Sequence, residues 1–280
     1  MNVLIAGVGI LGRNLCTLYL ERGDHVRALA FSASEFEGME HPHLQMVTGD
    51  VTRPETLAGL CEGMELIISC IGITRLKGNL AHIDVDYLGN VNLLREAEKA
   101  GVKKFGFISP AGVDEGKGSV PLLKAKHLFE SELKRSPIEW LIFRSGGFFS
   151  DLKAMGEMAQ KGSMFVIGNG HNHFTPIDAR DLAEVMVEDL DTQANRVIDI
   201  GGPEDMTWNE ICQTCFEHYG KKPLILKFPQ GLCEFFLKVL RPFAKSSHAM
   251  GKLIVFMSTL DLPTEKRGKR SFSSYLRESD

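Results

Sequence analysis

The chain has no apolar run as long as the roughly 18 residues that a membrane-spanning helix needs, so no membrane span is predicted. It also has no excess of positive charge. Its 36 acidic residues outnumber its 32 basic ones, and a net charge of −4 gives no reason to expect nucleic acid as a partner. No basic leader or cleavage site precedes the first apolar segment at Asn2, so we expect a cytoplasmic protein.

Clustered metal ligands are also scarce. Of the six cysteines, only Cys212 and Cys215 form a close pair, and a structural zinc site needs four ligands. Most cysteines lie in apolar segments, which favours small buried side chains. His171 and His173 follow a Gly-Asn-Gly sequence that is more typical of a turn than of a metal site. We therefore predict no metal.

The most informative positive feature is the start of the chain. An apolar segment of strand length runs directly into Gly7-x-Gly9-x-x-Gly12, and an apolar-periodic helix follows at once. In a dinucleotide-binding turn the first glycine permits the tight turn, the second lets the backbone approach a pyrophosphate, and the third lets the helix lie close on the strand. The sequence predicts that Gly7, Gly9, Ile10, Leu11 and Gly12 hold a dinucleotide; the alternative is a purely structural turn.

Strand-like and helix-like segments alternate through the first half of the chain. This alternation predicts an α/β fold, a Rossmann-type doubly wound parallel sheet. The spacing changes near residue 145, so we expect a Rossmann domain over 1–150 and a smaller C-terminal α+β cap over 151–280 that does not fold independently. The predicted strands are 25–31, 44–47, 66–71, 104–108 and 138–143, and the predicted helices are 54–61, 83–100 and 122–134. The basic segment 266–270 is expected to be a solvated tail.

Short motifs extend this pattern from residue 2 to about residue 260. They are Gly7-x-Gly9-x-x-Gly12-Arg13, Gly49-Asp50-Val51, Asp86-Tyr87-x-Gly89-Asn90-x-Asn92, Phe107-Ile108-Ser109-x-x-Gly112, Lys124-x-Lys126-x-x-x-Glu130, Phe143-Arg144-Ser145-Gly146, Pro176-Ile177-Asp178-x-x-Asp181 and Gly201-Gly202-Pro203-Glu204. In this order they resemble the atypical short-chain dehydrogenase/reductase family. The resemblance is to its NmrA-like, complex-I 39-kDa-subunit-like and NAD-dependent epimerase-like members.

The resemblance implies further cofactor contacts. Asp50 is expected to accept a hydrogen bond from the adenine amino group, with Val51 contributing its backbone; the alternative for Asp50 is a turn residue after Gly49. The end of the fourth strand is expected to lie along the ribose, because open α/β sheets hold ligands at the carboxyl ends of their strands. The remaining residues implied to contact the cofactor are Cys70, Ile71, Gly72, Asn90, Ser109 and Lys126.

Charge at the end of the second strand bears on the choice of cofactor. An NAD site usually has an acidic residue there, to accept from the ribose 2′-hydroxyl. Here Phe31 and Ser32 occupy that end, and the first carboxylate is Glu35. Arg13 follows the third glycine, where it could reach a phosphate. The sequence therefore favours NADP(H) over NAD(H), although many NADP-preferring relatives have a basic residue where this chain has Phe31.

One catalytic residue of the superfamily is missing. Typical members use Tyr-x-x-x-Lys, in which the lysine lowers the pKa of the tyrosine that transfers the proton. Lys126 matches the lysine, but Leu122 stands in the tyrosine position. We expect Lys126 and Ser109 to be the catalytic residues if the protein is an enzyme; the alternative for Lys126 is an exposed helix lysine.

Three functions remain open. The first is an NADP(H)-dependent oxidoreductase that acts on a small, mostly apolar organic substrate. The second is a non-catalytic dinucleotide-binding protein, either a redox sensor or an assembly subunit, with a protein partner or a second copy of itself. A nucleotide-sugar epimerase is the weakest, because epimerases need the missing tyrosine. An apolar C-terminal stretch, from Phe235 to Met257 and including Phe243, could line a pocket, pack internally or contact a partner.

Overall fold

A computed structural model describes residues 1–73, 80–240 and 245–279 of the chain. Phe243 therefore lies outside the described residues. Within them, eight parallel strands form the central sheet, in the order β12-β9-β6-β5-β4-β1-β2-β3. The strands of this sheet are β1 Asn2–Ala6, β2 His25–Ala30, β3 Leu44–Thr48, β4 Leu66–Ser69, β5 Lys104–Pro110, β6 Glu139–Ser145, β9 Arg196–Gly201 and β12 Glu265–Lys266.

Two small two-stranded sheets and a set of helices complete the described fold. One small sheet pairs β7 (Met164–Ile167) with β11 (Ile225–Phe228), and the other pairs β8 (His173–Phe174) with β10 (Met206–Thr207). The α-helices are α1 Ile10–Glu21, α2 Asn90–Lys99, α3 Val113–Gly116, α4 Pro121–Leu133, α5 Lys153–Gln160, α6 Ala179–Thr192, α7 Trp208–His218, α8 Gln230–Leu240, α9 Lys245–Thr259 and α10 Phe272–Ser279. In the part of the chain that the structure describes, no helix is both long and apolar enough to cross a membrane.

The sheet is covered by helices on both faces, which confirms the predicted fold class. Every residue of β4 is buried, as expected of a central parallel strand. On one face α1 and α6 bury residues such as Leu15 and Met186 in one core, and on the other α2 and α4 bury residues such as Leu93 and Phe129 in a second. Because these strands pair in parallel, the carboxyl ends of β1, β2, β4 and β5 lie along one edge of the sheet.

Part of the chain beyond residue 150 belongs to the main sheet. β9 pairs with β6, and β12 pairs with β9. Helix α6 lies against α1 and contributes Leu182, Met186 and Leu190 to the core that covers one sheet face. The rest forms its own core around Phe149, Phe216 and Phe272. The division at residue 150 stays a prediction.

The basic segment near the C-terminus is not a solvated tail, so that prediction is wrong. Asp181 is buried on α6 and accepts hydrogen bonds from the backbone N–H groups of Lys269 and Arg270, at 2.6 and 2.7 Å. The Arg270 guanidinium also donates to Asp181, and the Arg267 guanidinium pairs with Asp189, also buried on α6. Two arginines of this segment, Arg267 and Arg270, therefore form ion pairs with buried carboxylates of α6.

Helix boundaries differ from the predictions at one functionally placed segment. The single helix predicted over 83–100 begins as a π-helix, Ile83–Gly89, and continues as α2. Gly89 makes this junction close, since a Cβ there would lie 2.7 Å from the Val51 side chain. π-helical turns are rare and often occur at functional sites.

Candidate functional site

The glycine turn between β1 and α1 has the geometry that the sequence predicts. Gly7 adopts a φ of +93°, a left-handed conformation that favours glycine. A Cβ on Gly12 would lie 1.9 Å from the Gly7 carbonyl oxygen, so only glycine lets α1 approach the turn this closely. Both glycines are therefore required by the fold itself.

Gly9 is different, because no contact among the described residues requires a glycine there. Its φ of −66° suits any residue, and a Cβ there would meet no atom within 4 Å. The side chain would point into open space at the N-terminus of α1. The first turn of α1 contains no acidic residue, and its first N–H groups have no partners within the helix. The lack of a side chain at Gly9 leaves room for a phosphate, and the first N–H groups of α1 can donate hydrogen bonds to it. Ile10 and Leu11 supply the first of these N–H groups.

The end of β2 combines a cation and a carboxylate. The Arg13 guanidinium donates to the carbonyl oxygens of Glu35 and Glu37, at 2.5 and 2.9 Å, so it lies against the turn that follows β2. Glu35 folds back along this turn, and its carboxylate accepts from the Ser32 backbone N–H at 3.0 Å. Phe31 is exposed beside them. Glu35 follows β2 by several residues in the sequence, but its carboxylate lies close to the end of that strand.

Asp50 and Val51 lie just after β3, and both already make hydrogen bonds within the protein. One Asp50 carboxylate oxygen accepts from the Thr52 backbone N–H and hydroxyl, at 2.9 and 2.7 Å, as in a turn. Its other oxygen accepts no hydrogen bond from the described residues. The Val51 carbonyl accepts from the Asn92 amide at 2.9 Å, which leaves its backbone N–H as the free group. Adenine contact by this pair stays a prediction, with one acceptor oxygen available for it.

Lys126 is buried at the carboxyl ends of β4 and β5 and is not an exposed helix lysine. Its ammonium donates to the Ile71 carbonyl at 2.7 Å and to the Ile108 carbonyl at 3.4 Å, and it lies over the Phe107 ring at 4.7 Å. Burial lowers the pKa of Lys126 from its ordinary value, and the nearby Asp86 carboxylate opposes that shift. The structure thus brings a buried cation to the strand ends.

Asp86 and His82 complete this cluster, and the sequence interpretation missed both as site residues. Asp86 is fully buried in the π-helix, with one carboxylate oxygen 3.6 Å from the Lys126 ammonium and the other 3.1 Å from Nδ1 of His82. The side chains of His82 and Lys126 are also almost completely buried. Asp86 does stand in one of the motifs that carry the family resemblance. An acidic residue within that motif was the sequence signal that could have identified Asp86 as a site residue.

The backbone of Gly72 packs directly against the Lys126–Asp86 pair. A Cβ at Gly72 would lie 3.0 Å from the Asp86 oxygen and 3.1 Å from the Lys126 nitrogen. Gly72 itself is exposed, so the pair lies directly beneath an accessible stretch of backbone. Cys70 is just before it, and burial raises the pKa of that thiol to about 12, which keeps it protonated at neutral pH.

Ser109 and Asn90 take different places around the cluster. Ser109 is buried next to Ile108, and its hydroxyl has no hydrogen-bond partner among the described residues, which suits a group that meets a ligand. Asn90 is fully buried: its amide oxygen accepts from the Ser69 hydroxyl and its amide nitrogen donates to the Asp86 carbonyl at 3.0 Å. Its side chain thus joins β4 to the π-helix, and a direct cofactor contact stays a prediction.

Leu122 fills the position of the missing tyrosine with apolar packing. It is buried in a small core with residues of α3, α4 and α9, including Val113 and Phe256. No proton-transferring group replaces the tyrosine there. Behind it, the buried Glu130 of α4 forms a two-point ion pair with Arg144 of β6, at 3.0 and 2.6 Å. This pair fixes the helix that carries Lys126 to the sheet.

Comparison with known proteins decides the family. Residues 7–193, two thirds of the chain, match the family model described as NAD(P)H-binding. The chain belongs to this NAD(P)H-binding family. The match begins at Gly7 and includes every residue of the site described above. It confirms the resemblance to the atypical short-chain dehydrogenases/reductases, whereas the assignment of the dinucleotide to the glycine turn stays a prediction.

Relatives of known name fall into different functional classes. Photosystem II assembly factor Ycf39 of Synechocystis sp. is 28% identical over 259 residues, which cover 90% of this chain and 78% of Ycf39. The chloroplastic divinyl chlorophyllide a 8-vinyl-reductase of Arabidopsis thaliana is 29% identical over an alignment covering 91% of this chain and 66% of the reductase. The NADPH-dependent quinone oxidoreductase of Escherichia coli, solved with NADPH, shares the fold with a TM-score of 0.81 at 14% identity, with 99% of each chain covered.

Proposed function

We propose that this NAD(P)H-binding protein is an NADP(H)-dependent oxidoreductase that acts on a small, mostly apolar organic substrate without the usual tyrosine. The observation that carries the proposal is Lys126, a buried ammonium held at the strand ends by Ile71 and Asp86 under the exposed backbone of Gly72. Burial of an ammonium group costs desolvation free energy, so a lysine that only keeps a helix surface polar would stay exposed to solvent. A relative that is named as a reductase supports the same class.

Each part of the chain has a distinct task in this proposal. A bound nicotinamide supplies or accepts the hydride. The glycine turn and the N-terminus of α1 bind the pyrophosphate, and Arg13 stabilises a 2′-phosphate at the end of β2. Reduction of a substrate also consumes one proton. Lys126 holds that proton at Nζ, Asp86 keeps Lys126 protonated, and the Ser109 hydroxyl donates a hydrogen bond to the polar atom of the substrate.

The test measures NADPH oxidation with a panel of quinones, enones and carbonyl compounds. Lys126→Met keeps the length of the side chain and removes the proton, so turnover should fall by about 10²-fold or more. Lys124→Met is the matched control, since Lys124 lies exposed on the same helix. It should leave turnover unchanged. Equal turnover in the two variants would contradict the proposed role of Lys126.

A second function is favoured by Leu122. The tyrosine position is filled with core packing, and the relative Ycf39 is named as an assembly factor. In this alternative the dinucleotide is bound without turnover and the protein acts through a partner. Tight NADPH binding without oxidation of any compound in the panel would support this alternative and reject the oxidoreductase. In either case the cytoplasmic location expected from the sequence is a proposal.

A further inference from the structure

Helix α8 carries an apolar stripe that faces solvent. Leu232, Phe235, Phe236 and Val239 stand at positions i, i+3, i+4 and i+7 and are 44, 59, 55 and 52% exposed. This spacing places them on one face of the helix. The helix already has a separate inward face: α9 packs against it so closely that a Cβ on Gly251 would lie 2.3 Å from the Leu237 side chain. The exposed stripe is therefore not needed to attach α8 to the protein.

The small sheet that precedes α8 continues this apolar exposure. Phe165 of β7 and Phe228 of β11 are 47 and 41% exposed, and their rings contact edge to face with centroids 5.9 Å apart. Leu224 and Leu226 are exposed as well. The single residue Pro229 joins β11 to α8, and its carbonyl accepts from the first turn of the helix. We call these eight residues, namely Phe165, Leu224, Leu226, Phe228, Leu232, Phe235, Phe236 and Val239, the cap apolar surface.

The charge around the cap apolar surface is mainly positive. Residues 221–252 contain seven lysines and arginines and a single acidic residue, Glu234, although the whole chain has more acidic than basic residues. Lys221, Lys222, Lys227 and Lys238 are all exposed. Two copies of this surface would bring like charges together, which disfavours self-association. An apolar helix face with Phe and Leu beside exposed lysines is the pattern of helices that lie in a membrane interface.

We propose that the cap apolar surface docks the protein on an anionic lipid surface. Helix α8 lies parallel to the membrane plane, with its Phe and Leu side chains in the boundary between headgroups and acyl chains. The flanking lysines contact lipid phosphates. No part of the chain needs to cross the bilayer for this mode of binding. The proposal concerns residues outside the NAD(P)H site and holds whether or not the protein has turnover.

The test is co-sedimentation of the full chain with vesicles. Phosphatidylcholine vesicles with and without phosphatidylglycerol are compared at low and high salt. We expect binding to the anionic vesicles only, weakened by salt because the lysine contribution is screened. The double variant Phe235→Glu/Phe236→Glu should lower the partition coefficient at least tenfold. Met46→Glu is the matched control: Met46 is 46% exposed on β3, outside the cap apolar surface, and its variant should bind like the wild type.

Three results would overturn the proposal. One is absence of binding to anionic vesicles by the wild-type protein. Another is binding that Phe235→Glu/Phe236→Glu leaves unchanged or that Met46→Glu lowers equally. The third is a dimer, measured by light scattering, that the double variant dissociates while vesicle binding is absent, because the surface would then belong to a second copy. NADPH binding by the double variant, expected to match the wild type, verifies that the variant is folded.

Discussion

The two halves of the chain use their apolar residues differently. In the N-terminal half the apolar strands are covered on both faces, and the exposed backbone lies at the glycine turn and at Gly72, where we propose that the dinucleotide binds. The C-terminal half gives α6, β9 and β12 to the same core but leaves the cap apolar surface exposed. The residues proposed to bind the ligand, those that support the fold and those proposed to dock on a lipid surface are therefore different residues. Changes in each half should therefore separate these properties.

Removal of the C-terminal half should have the largest effect. A chain of residues 1–150 loses Leu182, Met186, Leu190, Ile198 and other buried members of the core that covers one face of the sheet. We therefore expect no cooperative unfolding transition in urea and no NADPH binding, whereas the full chain shows both. A cooperative transition for residues 1–150 would show that the N-terminal half folds without the core residues of the C-terminal half.

Within the glycine turn, Gly12→Ala and Gly9→Ala should separate folding from binding. The Cβ of Gly12→Ala overlaps the Gly7 carbonyl, so the turn must shift, and we expect the free energy of unfolding to fall by about 3 kcal/mol. Gly9→Ala places its Cβ in open space, so stability should change by less than about 0.5 kcal/mol.

NADPH binding should nevertheless weaken about tenfold or more in Gly9→Ala, because the methyl group lies where a pyrophosphate approaches the backbone. Urea unfolding and fluorescence titration with NADPH measure the two effects. Wild-type affinity in Gly9→Ala would mean that the pyrophosphate does not approach Gly9.

These cases also show what the sequence could predict. The glycine roles and the buried strands follow from local pattern, because each depends on neighbours in the chain. Asp86 was missed because its partner Lys126 is 40 residues away, and only the packing of the π-helix against α4 joins them. Strand β12 was missed because two residues, Glu265 and Lys266, carry no pattern, and their pairing follows from the contacts of Arg267 and Arg270 with α6.

Asp86→Asn tests the electrostatic support of Lys126. Burial lowers the pKa of Lys126 and Asp86 opposes this, so removal of the carboxylate should lower that pKa further. If Lys126 supplies the proton, the alkaline limb of the pH–rate profile moves to lower pH. A lysine whose pKa is depressed on folding binds fewer protons than in the unfolded chain, so stability rises with pH between the folded and unfolded pKa values.

In Asp86→Asn this window extends to lower pH, and urea unfolding as a function of pH measures it. His82→Gln is the comparison variant, since His82 contacts Asp86 and not Lys126 in the described structure. It should shift the pH–rate profile less than Asp86→Asn does. An unshifted profile in Asp86→Asn would mean that Asp86 supports the fold without acting on Lys126.

The smallest effect is expected at the end of β2, where Glu35 opposes Arg13. The Glu35 carboxylate lies at the Ser32 N–H and would repel a 2′-phosphate, while the Arg13 guanidinium would attract it. Glu35→Gln keeps the hydrogen-bond acceptor and removes the charge, so the ratio of NADPH to NADH affinity should rise about two- to fivefold, as expected for partly exposed charges. Glu157→Gln, an exposed change on α5 outside the NAD(P)H site, is the control. Parallel titrations with NADPH and NADH measure the ratio, and a fall in it would assign the carboxylate a direct role in holding the phosphorylated cofactor. A rise would show that the charge of Glu35 weakens the binding of the phosphorylated cofactor.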